Sequence, residues 1–164
     1  MSARTVSFRP RTARAVAESL SDHVWAIDPG RDLVRTLSDR LARVSRELLE
    51  PLGIALTLDL PGEAVSLLPL PPAVRRHALL VGKEALLNAA RHSGARRVRL
   101  RLAVQGSRLV LEVEDDGSGF EPGGPARDGH GLDSMRRRAS ALGATLRVGP
   151  APAGGTLVAF SVDV

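Results

Sequence analysis

The chain has 164 residues, of which 43% are hydrophobic and 25% charged, as is typical of one soluble globular domain, and its lack of cysteine excludes disulfide scaffolds and thiolate metal sites. No apolar run approaches the roughly 20 residues of a membrane span and no signal-peptide pattern opens the chain, so we expect a cytoplasmic protein without membrane contact. The net charge is +5, but only Lys83 is lysine among 23 basic residues and the arginines are spread along the chain, which favours a compositional bias over a nucleic-acid-binding patch.

Two helices, a strand and a loop are predicted in the first part of the chain. Residues 12–27 carry apolar side chains at helical spacing, and residues 31–50 carry a second apolar stripe of the same period. Residues 54–60 alternate between apolar and other side chains, as a β-strand does. Residues 61–72 contain several prolines and are predicted to form a loop.

The longest predicted helix runs from Pro72 to Ser93. Apolar or small residues line one side of it: Leu79, Gly82, Leu86, Ala89 and Ala90. At 3.6 residues per turn, Glu84, Asn88 and His92 share the opposite face, and Arg91 lies beside them. The solvated face of an ordinary amphipathic helix would show the same pattern, so this face alone does not identify a site.

A β-hairpin is predicted next, with strands over residues 96–104 and 109–114 joined by a turn at Gly106. Arginines in the first strand and glutamates in the second both alternate with apolar residues. We expect these charges to pair across the two strands on one face, each pair stabilising the sheet by roughly 0.2–1 kcal/mol. Such pairing accounts for the arginine stripe and weakens the nucleic-acid interpretation further.

The C-terminal part is predicted to hold a helix over residues 131–142 and two strands over residues 144–148 and 156–164. Together the elements predict an α+β fold, a two-layer sandwich with helices on one face of a mixed, mostly antiparallel sheet. We divide the chain into an N-terminal helical segment, residues 1–30, and this sandwich domain, residues 31–164.

Two glycine-rich turns carry candidate binding residues. Asp115-Asp116-Gly117-Ser118-Gly119 follows the second hairpin strand, and Gly129-His130-Gly131-Leu132 opens the next helix. Glycines let the backbone approach a ligand closely, and a helix N-terminus presents free N–H groups to a phosphate. Asp115 offers an acceptor for an exocyclic amine, while Glu84 and Asn88 offer oxygens suited to a hard cation such as Mg²⁺.

These motifs resemble those of the GHKL group of ATP-binding domains, which comprises sensor histidine kinases, gyrase-type topoisomerases, mismatch-repair ATPases and heat-shock chaperones. Lys83–His92 is similar to the asparagine box of that group, Asp115–Gly119 to its first glycine box and Gly129–Leu132 to its second. The run Gly131–Ala139 followed by Gly143 is most similar to the nitrate-sensor-like class of two-component histidine kinases. The resemblance implies the GHKL, or Bergerat, fold.

The resemblance also implies a role for each residue on the polar helix face. Asn88 would ligate the Mg²⁺ that bridges the phosphates of ATP. Glu84 would orient or deprotonate the attacking group and contribute to the Mg²⁺ site through water. Arg91 would lie near the phosphates, and His92 would lie close to the nucleotide.

On the adenine side, the resemblance implies that Asp115 accepts a hydrogen bond from the adenine amine, with room supplied by Gly117 and Gly119. Thr156, in a Gly-Gly-Thr run similar to the closing motif of the family, would support this contact through water. Residues 121–130 would form a lid. Contacts to ATP at the second glycine box would come from Gly129, His130, Gly131 and Leu132.

The phosphoacceptor is the part of the family pattern that we do not find. Family members carry the accepting histidine upstream in a His-Asp or His-Glu setting, and no such dipeptide precedes Lys83. His23 follows Asp22 instead, and His77 is predicted to be a surface residue. The acceptor would then lie on a histidine-bearing dimerisation domain or a partner kinase chain, with a response regulator downstream and homodimer contacts through the N-terminal helices.

The resulting prediction is a Mg-ATP-binding catalytic domain of a two-component histidine kinase, which transfers the γ-phosphoryl group of ATP to a histidine that is not evident in this chain. Two alternatives stay open: a serine kinase of the anti-sigma-factor type and a catalytically silent, nucleotide-dependent interaction module. The presence of Glu84, Asn88 and Asp115 together favours catalysis, because a purely structural domain has no need of all three.

Overall fold

The computed structural model describes residues 32–119 and 130–164, which form four α-helices and five strands. The helices are α1 (Val34–Leu49), α2 (Glu63–Ser66), α3 (Pro72–His92) and α4 (His130–Ser140). The strands are β1 (Ala55–Asp59), β2 (Arg97–Gln105), β3 (Arg108–Asp115), β4 (Thr145–Pro150) and β5 (Thr156–Asp163). Among the described helices, none combines the length and the apolar composition needed to cross a membrane. The helix predicted over residues 12–27 and the domain boundary predicted at residue 30 lie outside the described residues.

The strands form one five-stranded sheet in the order β1-β2-β3-β5-β4. β1 runs parallel to β2, and every other neighbouring pair is antiparallel. A parallel pair needs a crossover connection, which α2 and α3 supply here between β1 and β2. The predicted α+β fold with a mixed, mostly antiparallel sheet is confirmed.

The hydrophobic core lies between the sheet and the three longer helices. Leu100 of β2 and Leu111 of β3 are at most 2% exposed, as the alternation of their strands predicts. Leu41 of α1 and Leu86 of α3 are fully buried against them in the same cluster. Burying a side chain of this size contributes roughly 1.5–3 kcal/mol, so this cluster is the main source of stability.

The start of the domain differs from the prediction. α1 begins at Val34, later than predicted, because the residues before it pair with the segment that leads into α3. Leu33 forms an antiparallel β-bridge with Pro69, and the N–H of Leu70 donates to the carbonyl oxygen of Asp32 at 2.9 Å. This pairing holds the start of the domain against the start of α3.

Two further boundaries differ from the predictions. The proline-rich loop contains the single turn of α2, in which Ser66 Oγ donates to the carbonyl oxygen of Pro61 at 3.1 Å. One helical turn is too short to produce a hydrophobic period, so the pattern could not reveal it. α4 ends at Ser140, before the predicted end, and the chain then turns through Gly143, whose φ of +62° suits glycine.

The charged face of the β2–β3 hairpin is arranged largely as predicted. Arg99 lies opposite Glu114, and Arg101 lies opposite Glu112 and donates to its carboxylate at 3.1 Å. Arg99 donates instead to Asp59 of the neighbouring parallel strand, at 2.9 Å. The sequence pattern missed this partner because it did not show that β1 lies beside β2.

Candidate nucleotide-binding site

Helix α3 places the predicted polar residues on the face away from the sheet. Glu84 and Asn88 are half-buried and one helical turn apart, and Arg91 is exposed in the same part of the helix. Leu86, on the opposite side of the helix, is fully buried in the core. The side chain of His92 lies outside the described part of the structure.

The N-terminal turn of α4 lies against this face. Gly131 packs so closely against Glu84 that a Cβ on Gly131 would overlap the carboxylate oxygen Oε1. Glycine permits this approach because it has no Cβ. The positive end of the α4 dipole, whose free N–H groups are suited to anions, therefore adjoins the acidic residue of α3.

Asp115 lies at the end of β3 and is only 7% exposed. Its Oδ1 accepts a hydrogen bond from the backbone N–H of Gly117 at 2.9 Å, which fixes the orientation of the carboxylate. Within the described residues, Oδ2 has no hydrogen-bond partner. One carboxylate oxygen is thus used by the protein, and the other is available as an acceptor.

The turn between β4 and β5 packs against the Asp115 loop. Gly155 has a φ of +83°, and a Cβ there would overlap the carbonyl oxygen of Asp115. Thr156 follows Gly155 directly, begins β5 and is half-buried. The Gly-Gly-Thr run and the first glycine-rich turn, about forty residues apart in the chain, therefore adjoin in the fold.

Gly117 and Gly119 of the first glycine-rich turn are each required to be glycine, for different structural reasons. Gly119 adopts a φ of +85°, a conformation that residues with a Cβ rarely reach. A Cβ on Gly117 would overlap the backbone oxygen of Ser93, so this glycine makes room for the connection that leaves α3. That contact was not predicted, because it depends on how α3 and β3 meet.

The second glycine-rich turn is only partly described. Gly129 and nearly all of the predicted lid lie in the stretch 120–129, outside the described residues. His130 is the first residue of α4, and its side chain also lies outside them. Leu132 is half-buried and packs against the hydrophobic core, which leaves its backbone to make any contact with a ligand.

His77 is half-buried, which corrects the surface position predicted for it. Its Nδ1 atom is buried and has no hydrogen-bond partner among the described residues. Burial, followed by the nearby Arg138 and Arg76 guanidinium groups, lowers the pKa of His77 below its ordinary value. The imidazole is therefore held in its neutral form more strongly than a surface histidine.

Arg138 is a residue of this region that the sequence analysis missed. Burial lowers its pKa, as does Arg76, while the Glu84 carboxylate acts in the opposite direction. Arg138 follows Gly131 by seven residues, two turns of α4, so helical spacing places both on the side of α4 that faces α3. This spacing was visible in the sequence, but its partner helix was not.

The oxygen ligands of the site are few. Within residues 32–119 and 130–164, no group of three His, Cys, Asp or Glu side chains is arranged to hold a metal ion. Glu84 and Asn88 supply two side chains with oxygen atoms that can ligate a metal ion, one helical turn apart. This donor set fits Mg²⁺ bound to phosphates, because Mg²⁺ usually takes one or two protein ligands and completes its shell with phosphate and water.

Comparison with known families agrees with this geometry. Residues 73–164, which include all of α3 but its first residue, both glycine-rich turns and the whole antiparallel part of the sheet, match the model of the histidine kinase-, DNA gyrase B- and HSP90-like ATPases. The chain belongs to this ATPase family. Membership confirms the predicted GHKL resemblance and the predicted use of ATP.

The related proteins are sensor kinases. The ATPase domain is 39% identical over 114 residues to the signal transduction histidine-protein kinase/phosphatase UhpB of Salmonella typhimurium, covering 69% of this chain and 22% of that protein. It is 30% identical over 128 residues to the sensor histidine kinase LiaS of Bacillus subtilis, covering 78% of this chain and 34% of that protein. The chain thus spans between about a fifth and a third of the length of these relatives.

Solved structures share the fold. The histidine kinase domain of the blue-light activated kinase EL346 of Erythrobacter litoralis superposes with a TM-score of 0.64 at 24% identity, covering 77% of this chain and 60% of that one. The histidine kinase AdeS of Acinetobacter baumannii superposes with a TM-score of 0.63 at 16% identity, covering 95% of this chain and 86% of that one. The ATPase domain therefore has the fold of these histidine-kinase domains, and its place in the nitrate-sensor-like class stays a prediction.

Proposed function

We propose that this ATPase domain binds Mg-ATP and catalyses transfer of the γ-phosphoryl group to a histidine carried by another domain or another protein. The observation that carries the proposal is the packing of Gly131 against the Glu84 carboxylate. It joins an acidic side chain and a phosphate-binding helix terminus in one place. Phosphoryl transfer requires mainly positioning and charge neutralisation, which are the properties of such a site.

Each predicted site residue keeps a role in this proposal. Asn88 ligates Mg²⁺, and Glu84 orients or deprotonates the attacking group. Bound Mg²⁺ would neutralise charge on the phosphates. The remaining contacts to ATP are assigned to Arg91, His92, Asp115, Gly117, Gly119, Gly129, His130, Gly131, Leu132 and Thr156.

Asp115 is the residue proposed to recognise adenine. Its Oδ1 is held by the N–H of Gly117, so Oδ2 is the oxygen that would accept from the adenine amine. Because Asp115 is nearly buried, a hydrogen bond to its carboxylate is strengthened by the low local dielectric. Thr156, adjoining through the Gly155 contact, would support the same base.

The phosphoacceptor is proposed to come from elsewhere. His77 is half-buried and its Nδ1 is buried, so this nitrogen is poorly placed to receive a phosphoryl group. A histidine-bearing dimerisation domain or partner kinase chain would supply the acceptor, and a response regulator would receive the phosphoryl group next. Homodimer contacts would involve the N-terminal segment, which lies outside the described residues.

Calorimetric titration with Mg-ATP tests the binding site. Asp115→Asn keeps an oxygen for the Gly117 N–H but presents an NH₂ group to the adenine amine, so we expect binding to weaken about tenfold or more. Asn88→Ala is expected to weaken binding by a similar factor by removing the Mg²⁺ ligand. Asp163→Asn is the matched control, because this exposed carboxylate pairs with Arg108 at the far end of the sheet.

A folded parent chain that shows neither binding heat nor thermal stabilisation at millimolar Mg-ATP would contradict the proposal and favour the silent interaction module. For the transfer step, the chain is incubated with γ-labelled ATP and a candidate histidine-bearing domain. Label that is lost in acid identifies phosphohistidine. Label that survives acid would favour the serine-kinase alternative instead.

A further inference from the structure

Two residues without an assigned role, Ser93 and Asp116, join the two sides of the proposed nucleotide site. Ser93 follows the last residue of α3, and Asp116 follows Asp115 at the end of β3. Their hydrogen bonds connect the segment between α3 and β2 with the first glycine-rich turn.

Asp116 binds the start of β2 with both its side chain and its backbone. Its Oδ1 accepts hydrogen bonds from the backbone N–H groups of Arg96 and Arg97, each at 2.8 Å. Its own N–H donates to the carbonyl oxygen of Arg97 at 3.2 Å. The backbone N–H of Arg97 is the largest cause of a lowered pKa for Asp116, so the carboxylate stays ionised at neutral pH.

Ser93 binds the glycine-rich turn from the other side. Its carbonyl oxygen accepts from the N–H of Ser118 at 2.7 Å. Its Oγ donates to the carbonyl oxygen of Ala89 at 2.7 Å and accepts from the N–H of Ala95 at 3.0 Å, which fixes the last turn of α3. Gly117 packs directly on Ser93, where any side chain would overlap the backbone.

We propose that these contacts, named here the Ser93–Asp116 clasp, set the position of Asp115 relative to Asn88, with Asp116 as a positioning residue for nucleotide binding. The inference rests on the proposed function, in which Asp115 contacts adenine and Asn88 contacts the phosphates through Mg²⁺. A ligand that spans both sides binds more tightly when their separation is fixed beforehand, because less ordering is required on binding. Removing the clasp is then expected to weaken the binding of a ligand that contacts both Asp115 and Asn88.

The test is a double-mutant cycle measured by titration with Mg-ATP. Asp116→Ala removes the acceptor for two N–H groups and is expected to weaken Mg-ATP binding about tenfold, within the range of coupling energies measured between interacting residues. In a chain that also carries Asn88→Ala, the same change is expected to weaken binding less than twofold. The reason is that the Mg²⁺ ligand, relative to which the clasp positions Asp115, is absent from that chain.

Asp116→Asn is the conservative variant. Its amide oxygen can still accept from Arg96 and Arg97, so we expect binding within about twofold of the parent. Asp116→Ser, which offers a shorter acceptor, is expected to be intermediate and replaces the alanine variant if that variant unfolds. All titrations are made well below the thermal midpoint of each variant, so that loss of folded protein does not enter the affinity.

Three results would overturn the inference while the proposed function stands. The first is unchanged Mg-ATP affinity in Asp116→Ala. The second is an equal loss of affinity on Asp116→Ala in the parent chain and in the chain that carries Asn88→Ala. The third is a loss of affinity in Asp116→Asn as large as that in Asp116→Ala. The second would show that Asp116 only shapes its own turn. Failure of the parent chain to bind Mg-ATP would overturn both proposals together.

Discussion

At the scale of single residues, burial and two nearby guanidinium groups lower the pKa of His77. Arg76 precedes it on α3, Arg138 approaches from α4, and its Nδ1 is buried without a partner in the described residues. Each of these disfavours the imidazolium, so the pKa of His77 is lowered from 6.5. The folded chain therefore takes up a proton at this residue less readily than the unfolded chain does.

The lowered pKa predicts a stability change with pH. As the pH falls through 6.5, the unfolded chain protonates His77 first, so the folded state loses stability below that pH. Between about pH 7.5 and 5.5 we expect the free energy of unfolding to fall more for the parent than for His77→Gln, as measured by urea denaturation. The other histidines are common to both chains, so equal falls would show that His77 has an ordinary pKa.

At the scale of elements, α3 serves the core and the candidate site at once. Its sheet-facing side passes close to α1 and β3 at Gly82, where a Cβ would lie 2.7 Å from Leu41 Cδ2 and 3.2 Å from Leu111 Cδ2. Its opposite face carries Glu84 and Asn88. A glycine inside a helix lowers the stability of that helix by roughly 1 kcal/mol relative to alanine. Here Gly82 lets α3 approach Leu41 and Leu111 closely, which sets the position of the face that carries Glu84 and Asn88.

Filling the Gly82 position is expected to destabilise the domain. Gly82→Val inserts three carbon atoms against Leu41 and Leu111, and overpacking of this kind costs about 1–3 kcal/mol in the free energy of unfolding. Ala73→Val is the matched control on the exposed side of α3, and we expect it to change stability by no more than about 0.6 kcal/mol. Chemical denaturation measures both, and equal effects would contradict the close packing at Gly82.

At the scale of the whole molecule, a partly buried ion pair links the residues just before α1 to α3. Arg75 of α3 is 0% exposed and lies 3.3 Å from the Asp32 carboxylate. The backbone contacts between Asp32 and Leu70 and between Leu33 and Pro69 lie beside it. We therefore expect the domain to need the residues just before α1, and the boundary near residue 30 stays a prediction.

This arrangement predicts where the chain can be shortened. A fragment of residues 31–164 retains the ion pair, and we expect its free energy of unfolding to stay within about 1 kcal/mol of the full chain. A fragment of residues 36–164 loses Asp32 and the buried Val34, and we expect it to lose about 3 kcal/mol or more. Urea denaturation compares them, and a strongly destabilised 31–164 fragment would place the boundary earlier.

Local patterns in the sequence were sufficient for the elements and the class of fold. The helical spacing of Leu37, Leu41 and Val44 predicted α1, and alternation at Leu100 and Leu111 predicted β2 and β3, because each depends on one period along the chain. The grouping of Glu84, Asn88 and Arg91 on one helix face has the same origin. The glycine-rich turns were recognisable because their composition departs from that of regular elements.

Only the tertiary structure shows which of these elements are in contact. The parallel pairing of β1 with β2 placed Asp59 beside Arg99, and the packing of α4 on α3 brought Arg138 near His77. The Ser93–Asp116 clasp formed where α3 meets β3. Each contact joins residues that are distant in the chain. Periods along the chain therefore accounted for the three longer helices and the strands, and the residue types in the motifs indicated the chemistry of the site. The distances between the site residues depended on how the helices pack against the sheet, which no local period encodes.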